Sequence, residues 1–190
     1  MDSRPCSNDA ERDTCYFTLR QAGERWLCRH QYHLEIRLGH AAVRTLPLIG
    51  HVFPACASGD AVFGVASRFV VEIVDFRWMT MVLRIYALGP DGAVKTLDVK
   101  DAMEAAARKL LRKMVRNEDD YAFSVLGASN GETPHLTVGN DGAIKAVFLM
   151  QIPKAENKHA VIEGAFRVTD RGGSLALKEL SLRRSKIKPW

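Results

Sequence analysis

Residues 98–116, DVKDAMEAAARKLLRKMVR, constrain the fold more than any other stretch of the chain. Ala, Leu, Met, Lys and Arg dominate it, and all are strong helix formers. Asp98 suits the N-cap, where its carboxylate can accept from a free N–H of the first turn. At about 100° per residue, Val99, Met103, Ala106, Leu110 and Met114 fall on one stripe, widened by Ala102, Ala107 and Leu111. Arg108, Arg112 and Arg116 fall opposite, with Lys109 beside them. The spacing predicts one amphipathic helix with an apolar face to bury and a cationic face toward water.

Those cations have an ordinary explanation. Acids open the helix and bases close it, as the macrodipole favours. Glu104 and Arg108 form an i,i+4 pair. A solvated face is thus weighed against an anion-binding one.

Around the helix the patterns are extended. Trp26 to Leu38 alternates with period two, the mark of one half-buried antiparallel strand ending at Gly39. Residues 41–60 carry Pro47, Gly50, Pro54 and Gly59, which predict short strands and turns. Phe63–Phe76 and Met79–Leu88 read as a hairpin turning around Asp75–Trp78. Gly89-Pro90-Asp91-Gly92 is a turn, leading to a short strand at Ala93–Leu97. Beyond the helix, Tyr121–Leu126 is a strand. His135–Val138 and Ala143–Ile152 flank the Asn140-Asp141-Gly142 turn as a hairpin. His159–Thr169 and Ser174–Leu182 make another. Its second strand shifts phase between Leu177 and Leu180, as a β-bulge would require; a short helix from Leu175 is the other solution. The motif Gly89-Pro-Asp-Gly-Ala-Val-Lys95 echoes Gly139-Asn-Asp-Gly-Ala-Ile-Lys145, which reads as convergent turn chemistry ahead of duplication.

The expected architecture is α+β: one or two twisted antiparallel sheets packed against the helix at 98–116. Residues 1–14 read as a flexible tail, 15–182 as a single domain and 183–190 as a basic C-terminal tail. At 190 residues, with 47% hydrophobic content, a core of ordinary size is available; such a chain buries about 70% of its extended-state surface. No apolar run approaches the roughly 20 residues needed to span a bilayer as a helix. The polar opening MDSRPCSNDAERD lacks secretory character. Cys6, Cys15, Cys28 and Cys56 are therefore expected as free thiols in a cytoplasmic protein.

No catalytic residue, metal site or cofactor signature emerges. Cys28, His30, His33 and His40 have the wrong spacing for structural zinc. A cysteine- or histidine-dependent enzyme would have to use His30, His51 or Cys56, and Cys56 lacks a nearby cation to lower its pKa. What remains is positive charge: net +5 and a pI near 9.1. Arg68, Arg77, Arg84, Lys145, Arg167, Lys178 and Arg183 lie on or beside expected strands, interleaved with Trp78, Tyr86 and Phe166. Cations for phosphates and aromatic faces for bases are what single-stranded nucleic acid requires. The leading expectation is a non-enzymatic, nucleic-acid-binding accessory or regulatory protein, with single-stranded DNA or RNA as partner. Its contacts would come from Arg84, Arg108, Lys109, Arg112, Arg116, Arg183, Arg184 and Lys186. The alternative is a binder of an apolar ligand, or an assembly subunit such as a homo-oligomer, using the Met- and Phe-bearing strands.

Overall fold

The structure is a computed structural model that describes residues 25–29, 33–38, 41–47, 58–64, 68–76, 79–114, 121–128, 132–151 and 159–187. Strand dominates, in three antiparallel sheets, with one helix among the described residues. The first sheet has the order β1 (Arg25–Arg29), β2 (His33–Leu38), β3 (Ala41–Pro47). The second runs β4 (Ser58–Phe63), β5 (Phe69–Phe76), β6 (Met79–Leu88), β7 (Val94–Asp98). The helix α1 (Lys100–Met114) follows. The third sheet is built from β8 (Ala122–Val125), β9 (Leu136–Val138), β10 (Ala143–Gln151), β11 (His159–Arg171) and β12 (Ser174–Arg184). Its order is β12-β11-β10-β8, with β9 also on β10.

The second sheet is the middle layer. One of its faces carries Phe69, Val71, Ile73, Leu83 and Ile85 into the main core, together with the helix and the third sheet. The other carries Ala61, Phe63, Val70 and Tyr86 against Leu27, Leu34, Ile36 and Leu46 of the first sheet. A strand covered on both sides must be apolar at nearly every position. This explains the unbroken FVVEIVDF of β5, where only Phe76 is partly exposed. The helix therefore contributes to only one of the two cores that flank the middle sheet, and the middle sheet, not the helix, is the element those two share.

The helix winds where the sequence places it. Asp98 Oδ1 accepts the Lys100 N–H at 3.2 Å, and Met103 N–H bonds Val99 O at 2.9 Å. Its buried line is Val99, Met103, Ala107 and Leu111. Ala106 and Leu110 are partly buried beside it, while Ala102 faces water. The stripe is thus turned by about one residue from the expected one.

Two expectations change. The run Trp26–Leu38 is not one strand: β1 and β2 pair antiparallel, Leu27 opposite Ile36. Period-two alternation cannot reveal a reversal when no Gly, Pro, Asn or Asp marks it, and His30-Gln31-Tyr32 contains none. The basic tail also begins later than expected, because Arg183 and Arg184 are the last residues of β12, opposite Glu163 and Ile162.

The phase shift in β12 is a bulge. Ser181 pairs with Ala165 and Glu179 with Phe166, so Leu180 is the extra residue. Leu180 is consequently turned out to solvent, as an unpaired bulge residue can be. The two echoing motifs build the same turn. Gly92 N–H bonds Gly89 O, Gly89 N–H bonds Ala93 O, and Asp91 Oδ1 accepts Ala93 N–H; Gly142, Gly139, Ala143 and Asp141 repeat every bond.

Candidate functional site

A cleft of about 930 Å³ opens where the three sheets meet. It collects five cations: Arg25 of β1, Arg37 of β2, Arg44 of β3, Arg68 just before β5, and Lys95 of β7. Only two acids line it, Asp91 and Asp170. Its floor is the end of the β6–β7 hairpin, Ala87 to Ala93, with Ile36 as an apolar wall.

Local structure explains why the arginines point here. Leu27 and Arg25 lie on one face of β1, and Leu46 and Arg44 on one face of β3, two residues apart in each case. The leucines enter the core between the first and second sheets. The arginines continue the same rows past its edge, where a long stem can stay apolar and its head reach water. Both heads are held. Arg25 donates to Gly64 O at 3.0 Å and stands 5.3 Å over the Phe63 ring. Arg44 donates to Gly89 O at 3.2 Å, tying β3 to the β6–β7 turn. Arg68 lies 5.5 Å over Phe69, and Arg37 Nε is 3.5 Å from Glu35. Lys95 meets Asp170 of β11 at 2.5 Å, joining the second sheet to the third at the cleft wall. Asp170 is held below the usual carboxylate range chiefly by that lysine. A pocket with this charge and this many fixed donors can take an oxyanion.

The expected nucleic-acid contacts do not assemble. Arg84 is 2% exposed. It lies 3.5 Å from both Glu72 and Asp98, turned into the protein and not toward a polyanion. Sequence periodicity could not show this, because both faces of its sheet are covered. Tyr86 and Phe166, expected as stacking platforms, are also buried. Arg108 donates to Glu104 at 2.9 and 2.6 Å and reaches Tyr121 O at 3.5 Å, the ordinary i,i+4 arrangement. Lys109 and Arg112 are exposed on the helix. Arg183 pairs with Glu163, which Ser185 and Arg183 together hold below its usual range. Arg184 and Lys186 gather with His159 at a shallow groove of about 230 Å³, away from the cleft. Arg116 lies outside the described residues, as do His30, His51, Cys56, Arg77 and Trp78.

The cleft itself was missed, apart from Arg68. Its signal was present as Arg25-x-Leu27 and Arg44-x-Leu46, a cation continuing an inward row. Pairing residues so far apart in sequence needs the fold. Of the Met- and Phe-bearing strands, Leu83, Ile85, Phe148 and Met150 fill the main core, while Met79 and Met81 are exposed.

Among the described residues, buried polar groups gather on both faces of the middle sheet. Glu72 and Arg84 face each other across β5 and β6, and Tyr86 donates to Glu72 at 2.8 Å. Burial, with Glu72 adding to it, pushes the Tyr86 hydroxyl up. On the opposite face, Asp75 accepts from Thr80 at 2.6 Å, and Thr80 Oγ1 accepts the Val125 N–H at 3.0 Å. Burial drives the Asp75 carboxyl up to about 7, the neighbouring Asp60 adding to the rise and Thr80 opposing it.

Cys28 is fully buried and disulfide-bonded, which corrects the expectation of a free thiol there. Disulfides are rare in reducing compartments, so the support for a cytoplasmic setting is removed. No helix among the described residues is long and apolar enough to cross a membrane. Comparison with protein-family models, with curated proteins and with solved structures finds no match to this chain.

Proposed function

We propose that this is a non-enzymatic binding protein for phosphate-bearing anions, with single-stranded nucleic acid as the macromolecular form of the ligand. The observation that supports it is the cleft, lined by Arg25, Arg37, Arg44, Arg68 and Lys95 with Asp91 and Asp170, and with Glu35 beside Arg37. Three of these cations are held in place at the cleft: Arg25 and Arg44 donate to carbonyl oxygens, and Arg68 lies over a ring. Pre-positioned donors lose little freedom on binding, so more of the Coulomb attraction appears as affinity. The cations that line the cleft are suited to backbone phosphates. Binding is then largely indifferent to base sequence.

Titration of a fluorescent single-stranded oligonucleotide at two salt concentrations tests this. Binding at low salt, falling by about tenfold or more between roughly 50 and 200 mM salt, is expected for a few phosphate contacts. Absence of binding at low salt, or binding indifferent to salt, would remove the reading.

A further inference from the structure

Resting on that reading, we propose that Asp170 is an internal competitor for the anion position in the cleft, and that the group able to displace it is a phosphomonoester or pyrophosphate. The carboxylate of Asp170 occupies the place an incoming oxyanion would take. Lys95 Nζ is 2.5 Å away, and the Gly173 backbone and the charge of Arg68 add to the lowering of its pKa. A lysine already paired with a carboxylate, in a cleft that Arg68 also lines, has the elements of an anion site. Here the occupant is tethered at the tip of the β11–β12 hairpin, so its effective concentration is high.

Displacement is then an exchange. A carboxylate or a phosphodiester brings one negative charge and replaces one, so it gains little. A phosphomonoester carries between one and two charges at neutral pH and three acceptor oxygens. It can take over the Lys95 contact and bring a further charge and further oxygens into a cleft that Arg68 and Arg44 also line. The released Asp170 side chain, already 43% exposed, returns to water at small cost. Asp170 thus sets a threshold that favours dianionic groups. Two sources carry such a group: a free nucleotide or sugar phosphate, and the 5′-phosphorylated end of a nucleic-acid strand.

Asp91 provides the matched control. It lines the same cleft, but its Oδ1 is spent on the Ala93 N–H. Asp91→Asn and Asp170→Asn remove the same charge from exposed positions, and only the second frees Lys95. Calorimetric titration with pyrophosphate and with acetate, and anisotropy with 5′-phosphorylated and 5′-hydroxyl oligonucleotides, are measured on the wild type and both variants at low salt. The wild type is expected to bind pyrophosphate and not acetate, and to prefer the phosphorylated oligonucleotide by about fivefold. Asp170→Asn should tighten pyrophosphate by about five- to tenfold and shrink the preference, because 5′-hydroxyl binding gains more. Asp91→Asn should keep the wild-type preference. A preference seen with pyrophosphate but not between the oligonucleotides assigns the free small phosphate as the source. If Asp170→Asn behaves as Asp91→Asn does, or binds more weakly than the wild type, the competitor role is overturned while the cleft reading stands. If neither wild type nor Asp170→Asn binds any of the phosphate probes, the cleft reading falls and this inference with it.

Discussion

Thr80 donates its hydroxyl proton to Asp75 across 2.6 Å, between neighbouring strands of the middle sheet and with both residues almost wholly buried. The same oxygen accepts Val125 N–H from the third sheet. Asp75 Oδ2 is buried without a hydrogen-bond partner. One threonine therefore links two sheets beside a carboxyl group that burial keeps protonated up to about pH 7.

Stability should fall as pH rises toward neutrality. Between the ordinary carboxyl value of 3.8 and about 7, the folded protein holds the Asp75 proton and the unfolded chain does not. The folded state then binds more protons, so unfolding free energy declines with pH across this window and levels off above it. Asp75→Asn removes the titration and keeps an acceptor for Thr80. Chemical denaturation at pH 5 and pH 8 should show the variant losing the pH slope and gaining up to about 4 kcal/mol over the wild type at pH 8. Equal slopes in both proteins would contradict this.

Glu72 and Arg84 make a second buried relationship, directly opposite in register and 3.5 Å apart. Removing one member of such a pair strands the other charge. Arg84→Met should destabilise the protein by about 3–5 kcal/mol. Glu72→Gln added to Arg84→Met should recover part of that loss, because the buried carboxylate facing the lost guanidinium is then neutral. A double-mutant cycle by denaturant titration measures the coupling, and strict additivity would contradict the buried-pair account.

Gly164 faces the main core in the middle of β11, where a Cβ would lie 2.5 Å from Phe166 Cε2 and 3.0 Å from Phe148 Cε2. The two rings pack edge to face, 6.0 Å apart. Gly164→Ala should cost about 1–3 kcal/mol through overpacking. By contrast, a cavity at the helix contact, Leu111→Ala, should cost about 2–5 kcal/mol. Thermal unfolding followed by circular dichroism reads both, and a neutral Gly164→Ala would show that the rings can move aside.

Cys28 supplies a fourth test. Reducing a disulfide releases conformational freedom to the unfolded chain and commonly costs about 2–4 kcal/mol. The melting temperature should drop when a thiol reductant is present throughout the scan. An unchanged melt under conditions shown to reduce the bond would contradict a structural role for it.

The helix and the paired strands were legible because their signals are local. Asp98, the Leu and Ala spacing of 99–111 and the Asp-Gly turns at 91–92 and 141–142 each act within a few residues. The middle sheet was legible as strands but not as a doubly covered layer. Arg84 and Tyr86 alternate with Leu83 and Ile85 much as solvent-facing residues do on a sheet exposed on one side, yet the first sheet covers them. Where β1 turned into β2 the chain offered no turn residue, so two strands read as one. The cleft was least visible. Arg25, Arg44, Lys95 and Asp170 are brought together by three separate sheets, and no short-range pattern carries that information.

The central claim is that anion binding resides in the cleft and not on the helix. Oligonucleotide affinity measured by anisotropy at low salt, for Arg44→Glu against Lys109→Glu, compares equal charge reversals at the two places. Arg44→Glu is expected to weaken binding by about tenfold or more, and Lys109→Glu by no more than about twofold. Equal losses at the two positions, or a greater loss at Lys109, would contradict the account.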